Sequence, residues 1–175
     1  MSGLLYLSSE DFHVGKSKKG DMLCTDVKGY SLLLIYSTMC VHCKELIPIF
    51  KKLPSIVHNC HFAMVNISVN KCIVKMSNDT IMPIKYVPII FFCVDGKPLM
   101  KYTGPSDINE LKRFIVEITQ KLGAKKFYEN TEKRDNSNKI PEYSIGNLKF
   151  GSKQWVGDML CDGNVCYLPD ESIKK

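Results

Sequence analysis

The sequence has no continuous apolar run approaching about 20 residues, the length a helix needs to cross a bilayer, so no segment reads as a membrane span. Leu4-Leu5-Tyr6-Leu7 is too short for the apolar core of a signal peptide, and no basic region precedes it. Charge of one sign is scarce as well. A net +6 spread over 175 residues describes a solvated surface and argues against a nucleic-acid patch. A phosphate loop is missing: Gly15-Lys16-Ser17 has the form of its end, but the glycine required five residues earlier is Glu10, so no nucleotide site is implied. Nor is there a dense cysteine framework. The eight cysteines are scattered through apolar runs, which predicts a reducing, cytoplasmic setting with Cys24, Cys72 and Cys93 as buried thiols.

What is present is enough for one good core. With 45% hydrophobic residues the chain is expected to form an α/β domain over residues 1–124, followed by a linker and C-terminal extension over 125–175. The stretch around which it is organised begins with the apolar run Leu32–Tyr36, which has the length of a buried strand. Cys40-Val41-His42-Cys43 follows, and then Leu46, Ile47, Phe50 and Leu53 fall on one helical face. The cysteine pair therefore sits where a strand hands over to a helix. The first turn of a helix offers unpaired N–H groups and the positive end of its dipole, which stabilise a thiolate at Cys40. Thiolate is the nucleophile of disulfide exchange, and Cys43, one turn on, is near enough to resolve a mixed disulfide formed at Cys40. One sulfur of the pair is thus expected to be ionised, exposed and within bonding reach of its neighbour.

Along the rest of the chain, Leu4–Leu7 predicts a first strand, Ser8-Ser9-Glu10-Asp11 a helix start, and Gly15–Gly20 a polar loop. Phe62–Ile67 reads as a central strand covered on both faces, and Lys71–Asn78 as a short helix. His58, Cys60 and His61 can ligate a metal in principle, but a loop entering a strand accounts for them, and no metal is assigned. Phe91–Val94, the Asp95-Gly96 turn and Leu99–Tyr102 make a β-hairpin signal. Asp107 with Glu110 forms a capping box ahead of the stripe Ile108, Leu111, Ile115, Ile118 and Leu122, and Gly123 stands at the helix C-terminus. Glu129–Lys139 is almost wholly polar and reads as a linker; sparse apolar residues from Ile145 to Leu168 are expected to pack on the main domain or on a partner.

The order of these marks resembles the thioredoxin superfamily over roughly Leu4 to Leu122. Pro48, five residues after Cys43, stands at the spacing of that family's helix-kinking proline, and Tyr86-Val87-Pro88-Ile89-Ile90-Phe91-Phe92 resembles the strand opening on its cis-proline, with Gly104 following in order. The resemblance implies a three-layer thioredoxin-like sandwich with a mixed central sheet and a partly ordered extension. It implies thiol–disulfide exchange on protein substrates, with Cys40 and Cys43 catalytic, and Met39, Val87, Pro88 and Gly104 contacting substrate. A reductase or oxidase would recycle the pair, and no organic cofactor is implied. It makes Val87-Pro88 cis, and it makes His42, just before the second cysteine, the residue that tunes the thiolate towards the oxidising members. Two departures stand out. The family's buried aspartate is replaced by Leu34 and the accompanying strand lysine by Met64, while its tryptophan before the first cysteine is Met39. Gly15–Gly20 interrupts where the family has its first full helix, leaving that helix short, displaced or absent.

Cys161 and Cys166 frame a hairpin-like turn at Asp162-Gly163-Asn164. They can form an auxiliary disulfide attacked by Cys40, form a purely stabilising bond, or complete a zinc site with Cys40 and Cys43. The run Asn164-Val165-Cys166-Tyr167-Leu168 is similar to endings of thioredoxin-like proteins of large cytoplasmic DNA viruses, which implies host cytoplasm or virion as the location. The reading from a different class is a non-catalytic docking or structural module on the same fold, a virion component among the options.

Overall fold

A computed structural model describes residues 3–123, 142–143, 154–156 and 159–169. The expected polar linker Glu129–Lys139 lies outside the described residues, as do Ile145, Leu148 and Phe150.

The apolar run becomes β4 (Tyr30–Tyr36), and because its residues are buried on both faces it is central. It pairs in parallel with β5 (His61–Asn66), which pairs in parallel with β1 (Leu4–Leu7). On its other side β4 meets β7 (Ile89–Val94) antiparallel, and β7 meets β8 (Lys97–Tyr102) through the Asp95-Gly96 turn. Gly96 has φ +76, and a Cβ there would lie 1.8 Å from the Thr25 carbonyl oxygen, so glycine is required. The two-residue strand β9 (Glu142–Tyr143) closes the sheet in parallel with β8. The mixed central sheet is therefore as the sequence implies.

Alternate residues of β4 face opposite layers. Leu32 and Leu34 pack beneath α1 (Val41–Lys52) and α3 (Ile108–Gly123), with Leu46, Phe50, Leu111, Phe114 and Ile118. Leu33 and Ile35 face the layer containing α2 (Lys71–Asn78). Asp107 caps α3 by accepting from the N–H groups of Asn109 and Glu110, while the Glu110 carboxylate pairs with Arg113 at 2.8 Å.

The helix expected after β1 is replaced. Ser8 and Asp11 close one 3-10 turn (Ser9–Asp11), and the chain then enters a hairpin of β2 (Phe12–Ser17) and β3 (Gly20–Thr25). Lys18-Lys19 is the whole turn; the Ser17 hydroxyl donates to the Gly20 carbonyl at 2.7 Å and Gly20 takes φ +130. The polar Gly15–Gly20 segment is thus mostly strand, held because Phe12 and Leu23 are buried beside α2. A second correction concerns Cys72, which is exposed: Ile73 and Ser77 are the buried positions of α2, and helical phase turns Cys72 away from them.

At Pro88 the strand expected from Tyr86 to Phe92 splits. Tyr86–Val87 forms β6, which leaves the central sheet, since proline supplies no ladder donor. β6 joins a separate antiparallel sheet with β12 (Val165–Tyr167), β11 (Met159–Asp162) and β10 (Gln154–Val156). The tail hairpin thereby packs Met159, Cys161 and Cys166 into the same core layer as Cys40 and Cys43.

Candidate active site

Cys40 is the N-cap of α1, in extended conformation, and its sulfur accepts the Cys43 N–H at 3.2 Å. One turn of helix thus sets the two sulfurs together, with Pro48 inside the helix that follows. The Cys40 thiol also lies 3.6 Å from the Val87 carbonyl, and the Val87–Pro88 bond is cis. The electrostatics split the pair. The Cys40 pKa is lowered, chiefly because the Cys43 thiol donates to its sulfur, with the backbone N–H groups of Cys43, His42 and Cys166 adding to this against the cost of burial. The Cys43 pKa is raised, because it is the donor in that bond, because it is buried, and because the Cys40 charge faces it. The arrangement favours charge on Cys40 and keeps the proton on Cys43.

The expectation of an exposed sulfur fails. Cys40 and Cys43 are both 0% exposed, and so are Val87 and Cys166. The cover is the chain's own tail: Cys166 is registered opposite Val87, Tyr167 opposite Tyr86, and the Leu168 N–H donates to the Lys85 carbonyl at 2.9 Å. Tyr167 packs edge-on against Tyr86, whose hydroxyl accepts from Lys101 at 2.7 Å. Cys161 and Cys166 are bonded to each other as a disulfide, which removes them as zinc ligands, and no metal-binding group of three or more His, Cys, Asp or Glu occurs among the described residues.

Other residues singled out in the sequence fall as follows. The His42 imidazole lies 3.8 Å from the Glu45 carboxylate, so it is the His42 amide that reaches the Cys40 sulfur. Leu34 and Met64 are cross-strand partners packed with Leu46 and Phe50, filling with hydrocarbon the place where the family's acid and lysine would stand. Met39 is 56% exposed and lines a cleft of about 850 Å³ with Ser68, Val74, Lys85, Met159 and Leu168. A Cβ at Gly104 would collide with the Tyr102 ring, whose hydroxyl donates to the Pro105 carbonyl.

Three contributors are not visible in local sequence. Ser37 gives Cys43 a backbone hydrogen bond, and its hydroxyl bridges Ser68 at 2.8 Å and Met159 at 3.9 Å. Met159 fills the layer over the pair, and the Cys166 amide completes the donors around Cys40. The C-x4-C spacing announces the hairpin, but nothing local says where it docks.

Comparison with known proteins adds family and relatives. The family model described as Thioredoxin matches residues 18–117. Uncharacterized protein 196R of Invertebrate iridescent virus 6 is 31% identical, the match covering 96% of this chain and 91% of that protein. Uncharacterized protein 020R of Invertebrate iridescent virus 3 is 30% identical, over 97% and 94% of the two chains. Among solved structures, human ERp44 form I superposes with a TM-score of 0.50 at 17% identity, over 67% of this chain and 29% of ERp44. That likeness is one of fold.

Proposed function

The chain belongs to the thioredoxin family, and on that premise we propose that it is a thiol–disulfide oxidoreductase acting on protein substrates. Cys40 attacks, Cys43 resolves, and the amide of His42 helps hold the thiolate. Met39, Val87, Pro88 and Gly104 frame the substrate, with the Val87 backbone as the pairing edge. A reductase or oxidase recycles the pair. The viral relatives extend the proposal to location, in host cytoplasm or virion. No helix among the described residues is long and apolar enough to cross a membrane.

The observation that carries this reading is the split between neighbouring thiols at a helix N-terminus, Cys40 lowered and Cys43 raised, which divides the labour as exchange requires. The absence of a carboxylate at Leu34 removes a proton relay to Cys43, so slow turnover is expected. Titration of the chain in glutathione buffers tests the proposal: a defined reduction potential, abolished by Cys40→Ser, supports it. Exchange that survives loss of Cys40 refutes it. One observation favours a second reading, a docking module with silent cysteines, because both sulfurs are fully buried. A dithiol that never equilibrates with glutathione would establish that reading.

A further inference from the structure

The tail disulfide sits where an outside substrate would have to dock. The Val87 backbone is already paired, antiparallel, with the chain's own strand β12, and the residue opposite Val87 is Cys166. Two separate contacts converge there: the Cys40 sulfur lies 3.6 Å from the Val87 carbonyl, and the Cys166 amide reaches that same sulfur. Cys161 is registered directly opposite Cys166 and bonded to it, while Cys40 and Cys43 are both free thiols. An oxidised pair and a reduced pair therefore share one buried layer, with Met159 packed beside them. A merely stabilising disulfide has no need of that position.

We infer that the Cys161–Cys166 disulfide is an internal substrate of the Cys40/Cys43 dithiol, presented by strand pairing between β12 and β6, so that a pair of electrons passes between the two cysteine pairs within one chain. This deepens the oxidoreductase reading and rests on it. In the forward step the Cys40 thiolate attacks the Cys166 sulfur, a Cys40–Cys166 bond forms, and the Cys161–Cys166 bond breaks with Cys161 leaving as thiolate. Cys43 then attacks the Cys40 sulfur, Cys166 leaves as thiolate, and the Cys43 proton passes to Cys161. One disulfide and one thiol–thiolate pair are present at the start and at the end. The dithiol is oxidised by two electrons, the tail disulfide is reduced by two, and no outside reactant is consumed. The same docking keeps other disulfides from Cys40 until the hairpin leaves, so the tail is both first acceptor and gate.

The test uses the full chain with Cys43→Ser, which stalls the reaction after the first step. The protein is quenched in acid, alkylated and mapped by mass spectrometry without reduction. The expected result is a peptide linking Cys40 to Cys166 with Cys161 alkylated, and its loss when Cys166→Ser is added. Cys43→Ala gives the same readout if serine is not tolerated in the buried position. A map in which Cys40 is never joined to the tail overturns the inference. A full chain carrying Cys161→Ser and Cys166→Ser tells the two failures apart. If that chain still exchanges with glutathione through Cys40 while the stalled chain shows no link, the relay falls and the oxidoreductase reading stands. If Cys40 exchanges in neither chain, both fall.

Discussion

Met159→Ala should unmask Cys40. Met159 is 5% exposed, belongs to the same layer as Cys40, Cys43, Cys161 and Cys166, and takes a hydrogen bond from the Ser37 hydroxyl at 3.9 Å. Truncating a buried methionine costs about 2–5 kcal/mol, and the low end applies because a surface hairpin can settle into the space. That cost is borne by the docked form of the tail and relieved when the hairpin lifts. About 2 kcal/mol then raises the open population roughly thirtyfold. When the tail closes faster than a reagent reacts, labelling tracks that population. Alkylation of Cys40 by iodoacetamide, followed by mass spectrometry, should therefore accelerate roughly thirtyfold in the variant. Cys72, exposed on α2, serves as internal reference and should keep its rate. The reasoning fails if Cys40 of the unaltered protein labels as fast as Cys72, or if the variant leaves the Cys40 rate where it was.

Four further outcomes are expected. With the tail loosened by Met159→Ala, the Cys40 labelling rate should pass half its limiting value below pH 9, since its pKa is lowered, while Cys60, pushed up to about 12 by burial, is still gaining reactivity there. In linkage terms the Cys40 thiolate contributes stability that is complete above pH 9 and is lost as pH falls through its folded value, so Cys40→Ala should flatten the pH dependence of urea unfolding in that window. Leu34→Asp, restoring the family's acid in a 0% exposed site among Leu46, Phe50 and Met64, should cost about 3 kcal/mol or more in urea unfolding; a loss under about 1 kcal/mol would mean that this core admits water. Asp107→Ala removes the oxygen that accepts from Asn109 and Glu110, and should lower stability by about 1 kcal/mol by the same assay without altering Cys40 labelling.

Local pattern carried the elements whose neighbours in space are also neighbours in sequence. Strand β4, helix α1 and the Asp95-Gly96 hairpin follow from apolar period and turn chemistry, and α2 runs from Lys71 to Asn78 as its spacing predicts. The β2–β3 hairpin escaped because its strand is punctuated by Gly15, Lys16 and Ser17, and Val14 faces outward, so the alternation that marks a strand is weak. Cys72 escaped because a general tendency of cysteine to be buried lost to the phase of one helix. The cover over the site was least legible of all. It joins a three-residue strand to a two-residue strand lying 79 positions earlier by register, Cys166 against Val87, and such short segments carry no period that specifies a partner.

That cover does not work against the chemistry it hides. Burial alone pushes a thiol up, and Cys60 and Cys93 show it: both are buried, both are raised, and desolvation is the largest cause in each. Cys40 is as fully excluded from water yet moves the other way. The difference lies in its donors. Cys60 is offered the amide of Leu32, whereas Cys40 is offered the Cys43 thiol and the amides of Cys43, His42 and Cys166. One of these four comes from the strand that shuts water out, so the tail replaces part of the hydration it removes with a fixed dipole. Docking the hairpin therefore closes access to Cys40 while adding a donor that favours its charged form, and whichever disulfide occupies that edge meets a sulfur whose ionisation the fold assists.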